Sequence, residues 1–156
     1  MLKTILCSGL CFGILTIVCG TARADAQDIP GQVCKQVAGT TNGSINFDSD
    51  GVRNNHTSQQ LQVVCPIALY SGTGRSLFIG GTDNNSSQDF SCLVQGWDVN
   101  LNAVFTFLIQ GPKGTYTNGT IGSFDIPDIT VKLNVQCLIP YAQTLVSKIS
   151  DFYIQN

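Results

Sequence analysis

The chain has 156 residues, of which 43% are hydrophobic and 12% charged; it carries a formal net charge of -2, with ten aspartates and no glutamate. So mild an acidity, with so few lysines and arginines, leaves no electrostatic basis for holding nucleic acid or an anionic membrane. Solubility rests instead on neutral hydrogen-bonding groups, since Asn, Gln, Ser, Thr and Gly abound.

Residues 1–26 read as a cleaved signal peptide. Lys3 supplies the positive start, residues 5–19 are almost wholly apolar, and Ala22-Arg23-Ala24 and Ala24-Asp25-Ala26 both offer the small residues a signal peptidase selects, with cleavage after Ala24 or Ala26. An apolar run of about 15 residues falls short of the roughly 20 that cross a bilayer, so no membrane insertion is expected after cleavage. Cys7, Cys11 and Cys19 follow Leu6, Leu10 and Val18, not the small residue that lipoprotein processing prefers. The expectation is a secreted or periplasmic protein whose mature part, 27–156, is a single domain with one core.

Loss of the leader leaves four cysteines, Cys34, Cys65, Cys92 and Cys137, and a charge of -3 or -4. An even set in an exported chain reads as two disulfides. Zinc competes poorly, because there is no Cys-x-x-Cys pair and His56 is the sole histidine. Spacing leaves three connectivities open. The sequential one, Cys34 with Cys65 and Cys92 with Cys137, is favoured, and each bridge then stabilises the fold by about 3–4 kcal/mol on the chain-entropy model.

Residues 27–31 form a short leader, after which Gly/Asn/Asp/Ser-rich tracts separate runs suited to strands: 44–47, 52–56, 60–68, 75–80, 88–98, 103–110, 120–124, 130–139 and 149–155. Leu61, Val63, Cys65 and Ile67 alternate with their neighbours, as do Phe90, Cys92 and Val94, and Val131, Leu133, Val135, Cys137 and Ile139. Period-two patterning puts these cysteines on the apolar faces of strands. The fold class is all-β: an antiparallel β-sandwich or jelly-roll of about eight strands. Tyr141, Ala142, Leu145, Val146 and Ile149 follow Pro140 at helical spacing, which predicts one short helix near 141–149, with an ordered loop as the alternative.

Chemistry-bearing motifs are sparse. His56 stands in a polar stretch with no cysteine nucleophile and no Gly-x-Ser-x-Gly elbow nearby, and reads as a turn residue. A secreted hydrolase would need two of Asp48, Asp50, Asp83, Asp89, Asp98, Asp125 and Asp128 to meet in a cleft, and nothing in their spacing marks a pair. No catalytic residue is assigned. Asn46, Asp48 and Asp50, followed by Gly51, resemble the first half of a calcium loop, yet the twelfth position is Thr57 where a bidentate Glu is needed. An Asp-rich hairpin turn is the plainer reading, and no cofactor is expected. Trp97, Asp98 and Asn100 form the candidate ligand-binding set: an indole stacks on the apolar face of a sugar while polar neighbours read hydroxyls. Packing of Trp97 under an edge loop competes. Asn42, Asn55, Asn84, Asn85 and Asn118 begin Asn-x-Ser/Thr triplets, which assigns those segments to the surface.

The order Gly51 to Asn54, Val64-Cys65-Pro66-Ile67, Ser91-Cys92-Leu93, Cys137-Leu138-Ile139-Pro140 and a closing Tyr-containing strand resembles a group of small exported bacterial four-cysteine β-proteins of unknown function. The resemblance implies a disulfide-stapled β-sandwich and carries over no catalytic residue. Size, leader and β-content are also similar to chaperone–usher pilins, but those have one early disulfide and a closing strand unlike 150–156. The expectation is a non-catalytic binding or surface module that recognises a glycan or a protein on a cell surface. The alternative is a structural subunit that self-associates through sheet edges.

Overall fold

The structure, a computed structural model, describes residues 26–37, 45–70 and 73–155. Residues 1–25 of the expected signal peptide and the Asn42 triplet lie outside these residues. Eleven strands are present among the described residues: β1 (Ala26–Pro30), β2 (Lys35–Gln36), β3 (Ile45–Asp48), β4 (Gly51–Asn54), β5 (Leu61–Ala68), β6 (Ser76–Asp83), β7 (Ser91–Trp97), β8 (Ala103–Gln110), β9 (Tyr116–Asp125), β10 (Lys132–Ile139) and β11 (Ser147–Gln155). They form two antiparallel sheets. One runs β3-β4-β11-β6-β9, with β1 also paired to β11; the other runs β2-β5-β10-β7-β8. The fold is a β-sandwich.

The expected count of about eight is too low. The surplus lies at the start, where β1 and β2 carry no apolar alternation and owe their extended form to pairing. β1 runs against the end of β11, from Ala26 opposite Gln155 to Pro30 opposite Asp151, and so continues the ladder that β4 begins on the same edge.

The core follows the alternation. Leu61, Val63, Cys65 and Ile67 of β5, Cys92 and Val94 of β7, and Leu133, Val135, Cys137 and Ile139 of β10 point inward. Val52, Leu77, Ile79, Ile121, Ile149, Phe152 and Ile154 meet them from the six-stranded sheet. Full burial of such side chains contributes about 1.5–3 kcal/mol each. Cys34 is bonded to Cys65 and Cys92 to Cys137. Cys92 and Cys137 are direct cross-strand partners, so this bridge staples two neighbouring strands of one sheet.

No helix forms over 141–149. Residues 141–146 are a loop that crosses between the sheets, and Ser147 already belongs to β11. The loop's backbone groups are committed elsewhere. The Ala142 N–H donates to the His56 carbonyl at 2.7 Å, Asn85 Nδ2 donates to the Tyr141 carbonyl at 2.9 Å, and Asn84 Nδ2 donates to the Val146 carbonyl at 2.8 Å. Asn85 is fully buried by this role and is structural, while Ser86 and Ser87 of its triplet are exposed as expected.

Candidate functional site

Two of the three irregularities among the described residues of the six-stranded sheet shape one part of its outer face. The pairing of β11 with β6 shifts between Ile149 and Asp151, and the pairing of β6 with β9 shifts between Ile79 and Gly80. Each is a β-bulge that turns the following residues over. In β11, Ile149 faces the core and so does Phe152, which puts Asp151 and Tyr153 on the outside.

Strand register then orders that face into rows. One row runs Asp28, Tyr153, Phe78, Ser123; the next runs Pro30, Asp151, Gly80, Thr120. The Tyr153 and Phe78 rings lie side by side, with centroids 6.2 Å apart and planes tilted by 53°. Beside them Gly80 and Gly119 leave the floor without side chains. The result is a groove of about 480 Å³ lined by Phe78, Gly80, Thr120, Ser150, Asp151 and Tyr153, among others. The Asp151 carboxylate lies over Gly80, occupying the place a Cβ there would take. Any larger residue at Gly80 would displace it.

Asp151 is the electrostatic centre of the groove. Burial, and then the charge of Asp28, pushes its carboxyl above its ordinary value. Among the described residues, no hydrogen bond or ion pair engages that carboxylate. The nearest cations along β11 and β4, Lys148 and Arg53, are held by Asp50, at 3.8 Å and 3.1 Å. An aromatic pair beside an unpartnered, half-buried acceptor can cover the apolar face of a ligand and fix a donor on its edge.

Trp97, Asp98 and Asn100 sit together at the opposite sheet's end. Trp97 is on the outer face of β7, half-buried, in a row with Ala68 and Lys132. Asp98 is committed to its own turn: it accepts the N–H of Asn100 at 2.8 Å, the N–H of Asn102 at 2.9 Å and Asn102 Nδ2 at 3.1 Å. The Asn102 N–H and then its side-chain amide hold Asp98 below the ordinary carboxylate range. The backbone of Asn100 is bound in that turn, and its side chain is exposed.

Asn46 and Asp50 fall in the hairpin of β3 and β4, where Gly51 adopts φ 119°. Asp50 serves Arg53 and Lys148, and the side chain of Asp48 lies outside the described residues. No group of three or more potential metal ligands of the His, Cys, Asp and Glu types occurs among the described residues. His56 closes a turn, its Nδ1 accepting the N–H groups of Ser58 and Gln59 at 3.1 and 3.0 Å. Of the other aspartates, Asp83 is buried against Ser147, Asp89 accepts the Gly114 N–H, Asp125 accepts Ser76 Oγ at 2.6 Å, and Asp128 accepts the Gly74 N–H.

Phe78, Asp151 and Tyr153 were not singled out from the sequence. The available signal was Phe78 and Tyr153 as large aromatics out of phase with the core residues Leu77, Ile79, Phe152 and Ile154.

No protein-family model matches the chain, and no curated protein matches it in sequence. Among solved structures it is similar to the CBM36-1 domain of a multidomain xylanase from the hindgut metagenome of Trinervitermes trinervoides, at 15% identity and a TM-score of 0.46, over 85% of this chain and 98% of that one. It is also similar to the xylan-binding module CBM15, at 11% identity and a TM-score of 0.48, over 83% and 95% of the two chains. A third is TmCBM61 in complex with beta-1,4-galactotriose, at 15% identity and a TM-score of 0.37, over 85% and 90%. Functional assignment rests on the groove's own residues.

Proposed function

We propose that the protein is an exported, non-catalytic module that binds a saccharide along the groove on the outer face of its six-stranded sheet. The observation that carries this reading is the Phe78 and Tyr153 pair standing next to the Asp151 carboxylate over a floor of glycines. A sugar ring offers a face of C–H groups for the aromatics and an edge of donors for the carboxylate. Two disulfides support an oxidising compartment, as the leader does.

The test is a glycan array probed with the intact oxidised protein, with free-sugar competition and titration of the best ligand. Tyr153→Ala should weaken binding by about tenfold or more, as for an aromatic anchor at the centre of a site. Trp97→Ala should leave it unchanged. Binding that survives Tyr153→Ala but not Trp97→Ala would move the site to the other sheet, and release of reducing ends from the bound glycan would overturn the non-catalytic reading.

Self-association is favoured by one observation. β8 is an edge strand without a charge or a proline, and Phe107 and Leu108 on it are 43% and 51% exposed. Sheet edges normally carry such guards against pairing. Size-exclusion over a range of concentrations tests it, with Leu108→Lys expected to restore the monomer.

A further inference from the structure

The charges on the grooved face are one-sided. Three successive rows across that face place Asp28, Asp151 and Asp125 on it and no lysine or arginine. Asp125 is engaged by Ser76, while Asp28 lies opposite Tyr153 on β1 and Asp151 two residues before it on β11, so the two carboxylates are diagonal to one another across the ladder. Arg53 and Lys148 occupy the next row and turn to Asp50. Like charges set so close repel, and nothing described in the fold neutralises them. A neutral sugar can donate hydroxyl hydrogens to Asp151 but leaves the repulsion in place. An acidic sugar adds to it. An ammonium group cancels it, and gains further from the π-faces of Tyr153 and Phe78.

Resting on the saccharide reading, we infer that the groove selects a sugar bearing a free amine, with the ammonium held between Asp28 and Asp151 and the ring against Tyr153. Charge complementarity thereby sets the ligand class: amino sugars in preference to their N-acetylated, neutral or acidic counterparts.

The experiment is calorimetric titration of the intact oxidised protein with three hexamers of one backbone: β-1,4-linked glucosamine, its fully N-acetylated form and β-1,4-linked glucose. At about pH 6 the amine is charged and exposed carboxylates are ionised. The glucosamine hexamer is expected to bind about tenfold or more tightly than either other, as for one charge-assisted hydrogen bond. That advantage should shrink with added salt. Asp28→Asn should erode the preference while leaving the weaker affinity for the glucose hexamer, Asp151→Asn should erode it while also weakening the glucose hexamer, though less than the glucosamine one, and Tyr153→Ala should weaken all three. Equal binding of the three hexamers overturns the amine preference and leaves the saccharide reading standing. So does a preference untouched by both Asn variants. A lysine oligomer that binds as tightly as the glucosamine hexamer overturns it as well, since bare charge would then suffice. If no hexamer and no array glycan binds, the saccharide reading fails and the inference with it.

Discussion

Arg75 offers the sharpest test of how the sandwich is held at the end where β6 begins. It is 3% exposed, and no carboxylate pairs with it among the described residues. Its guanidinium instead donates to three backbone carbonyls: Tyr70 at 2.7 Å, Asp128 at 3.1 Å and Thr130 at 2.7 Å. One side chain thus ties the β5–β6 connection to the β9–β10 connection, and the Arg75 carbonyl adds the N–H of Ile126 at 2.7 Å. Arg75→Met keeps the aliphatic stem and removes the donors. Three bonds to a charged group are worth about 1.5–3 kcal/mol each before the guanidinium's own desolvation is returned. Tyr70 and Asp128 are in exposed segments, so their carbonyls regain water. Thr130 is fully buried, and its carbonyl is left unpaired at a cost of about 1–3 kcal/mol. A net loss of about 2–4 kcal/mol follows, which in urea lowers the midpoint by about 1–2 M for a slope near 2 kcal/mol/M. Arg75→Lys should recover only part, because one ammonium cannot span three carbonyls. A midpoint for Arg75→Met within about 0.3 M of the parent would refute the reasoning, showing that desolvation had cancelled the three bonds.

Replacing Cys92 and Cys137 together by alanine frees a 45-residue loop in the unfolded chain, about 4 kcal/mol on the entropy model. Calorimetry without reductant should show the melting temperature down by roughly 10 °C or more, and a drop under about 3 °C counts against that model. Asp83 gives a pH test. Burial raises its carboxyl above the ordinary value despite the bonds from the Asn85 N–H and Ser147 Oγ. The folded state therefore holds the proton more tightly than the unfolded chain, so this group costs stability as pH climbs from the ordinary carboxylate value through the folded one. Asp83→Asn keeps an acceptor for both partners and puts an amide at Oδ2, which has no partner now. The variant should be more stable than the parent near neutral pH and close to it at about pH 4; equal stability at both values in urea melts would refute the assignment.

Strands that alternate were legible in the sequence, because burial on one face imposes a strict period of two. β5, β7 and β10 obey it without a break, and these strands carry three of the four bonded cysteines. β1 and β2 were not legible, since short segments stabilised by pairing alone leave no pattern. The false helix has a specific cause. Leu145, Val146 and Ile149 give helical spacing, but Val146 ends a loop and Ile149 lies in a strand whose apolar positions then run 149, 152 and 154. A gap of three followed by a gap of two marks a bulge in a strand as readily as a helical turn. The groove escaped notice because Phe78 and Tyr153, far apart in sequence, meet only through the pairing of β6 with β11.

That bulge at Ser150 ties the core to the site. Were the extra residue not absorbed in a bulge, alternation from Ile149 would carry Asp151 and Tyr153 into the core and turn Phe152 and Ile154 to solvent. With it, two large apolar side chains are buried, and a carboxylate and a phenol reach the outer face by the same shift. The bulge in β9 opposite Gly80 makes the matching adjustment on the far side, so that Thr120 comes level with Asp151. Both disulfides tie to the other sheet, with Cys34 just ahead of β2 and the other three cysteines on β5, β7 and β10, where the ladders of β5 with β10 and β10 with β7 run unbroken over their paired residues. Irregular pairing weakens a ladder locally; in the five-stranded sheet it falls between Gly96 and Trp97, where β7 meets the edge strand β8, away from the ladders that the covalent ties secure. The division lets the six-stranded sheet depart from ideal register to shape a surface while the rest of the sandwich is held covalently.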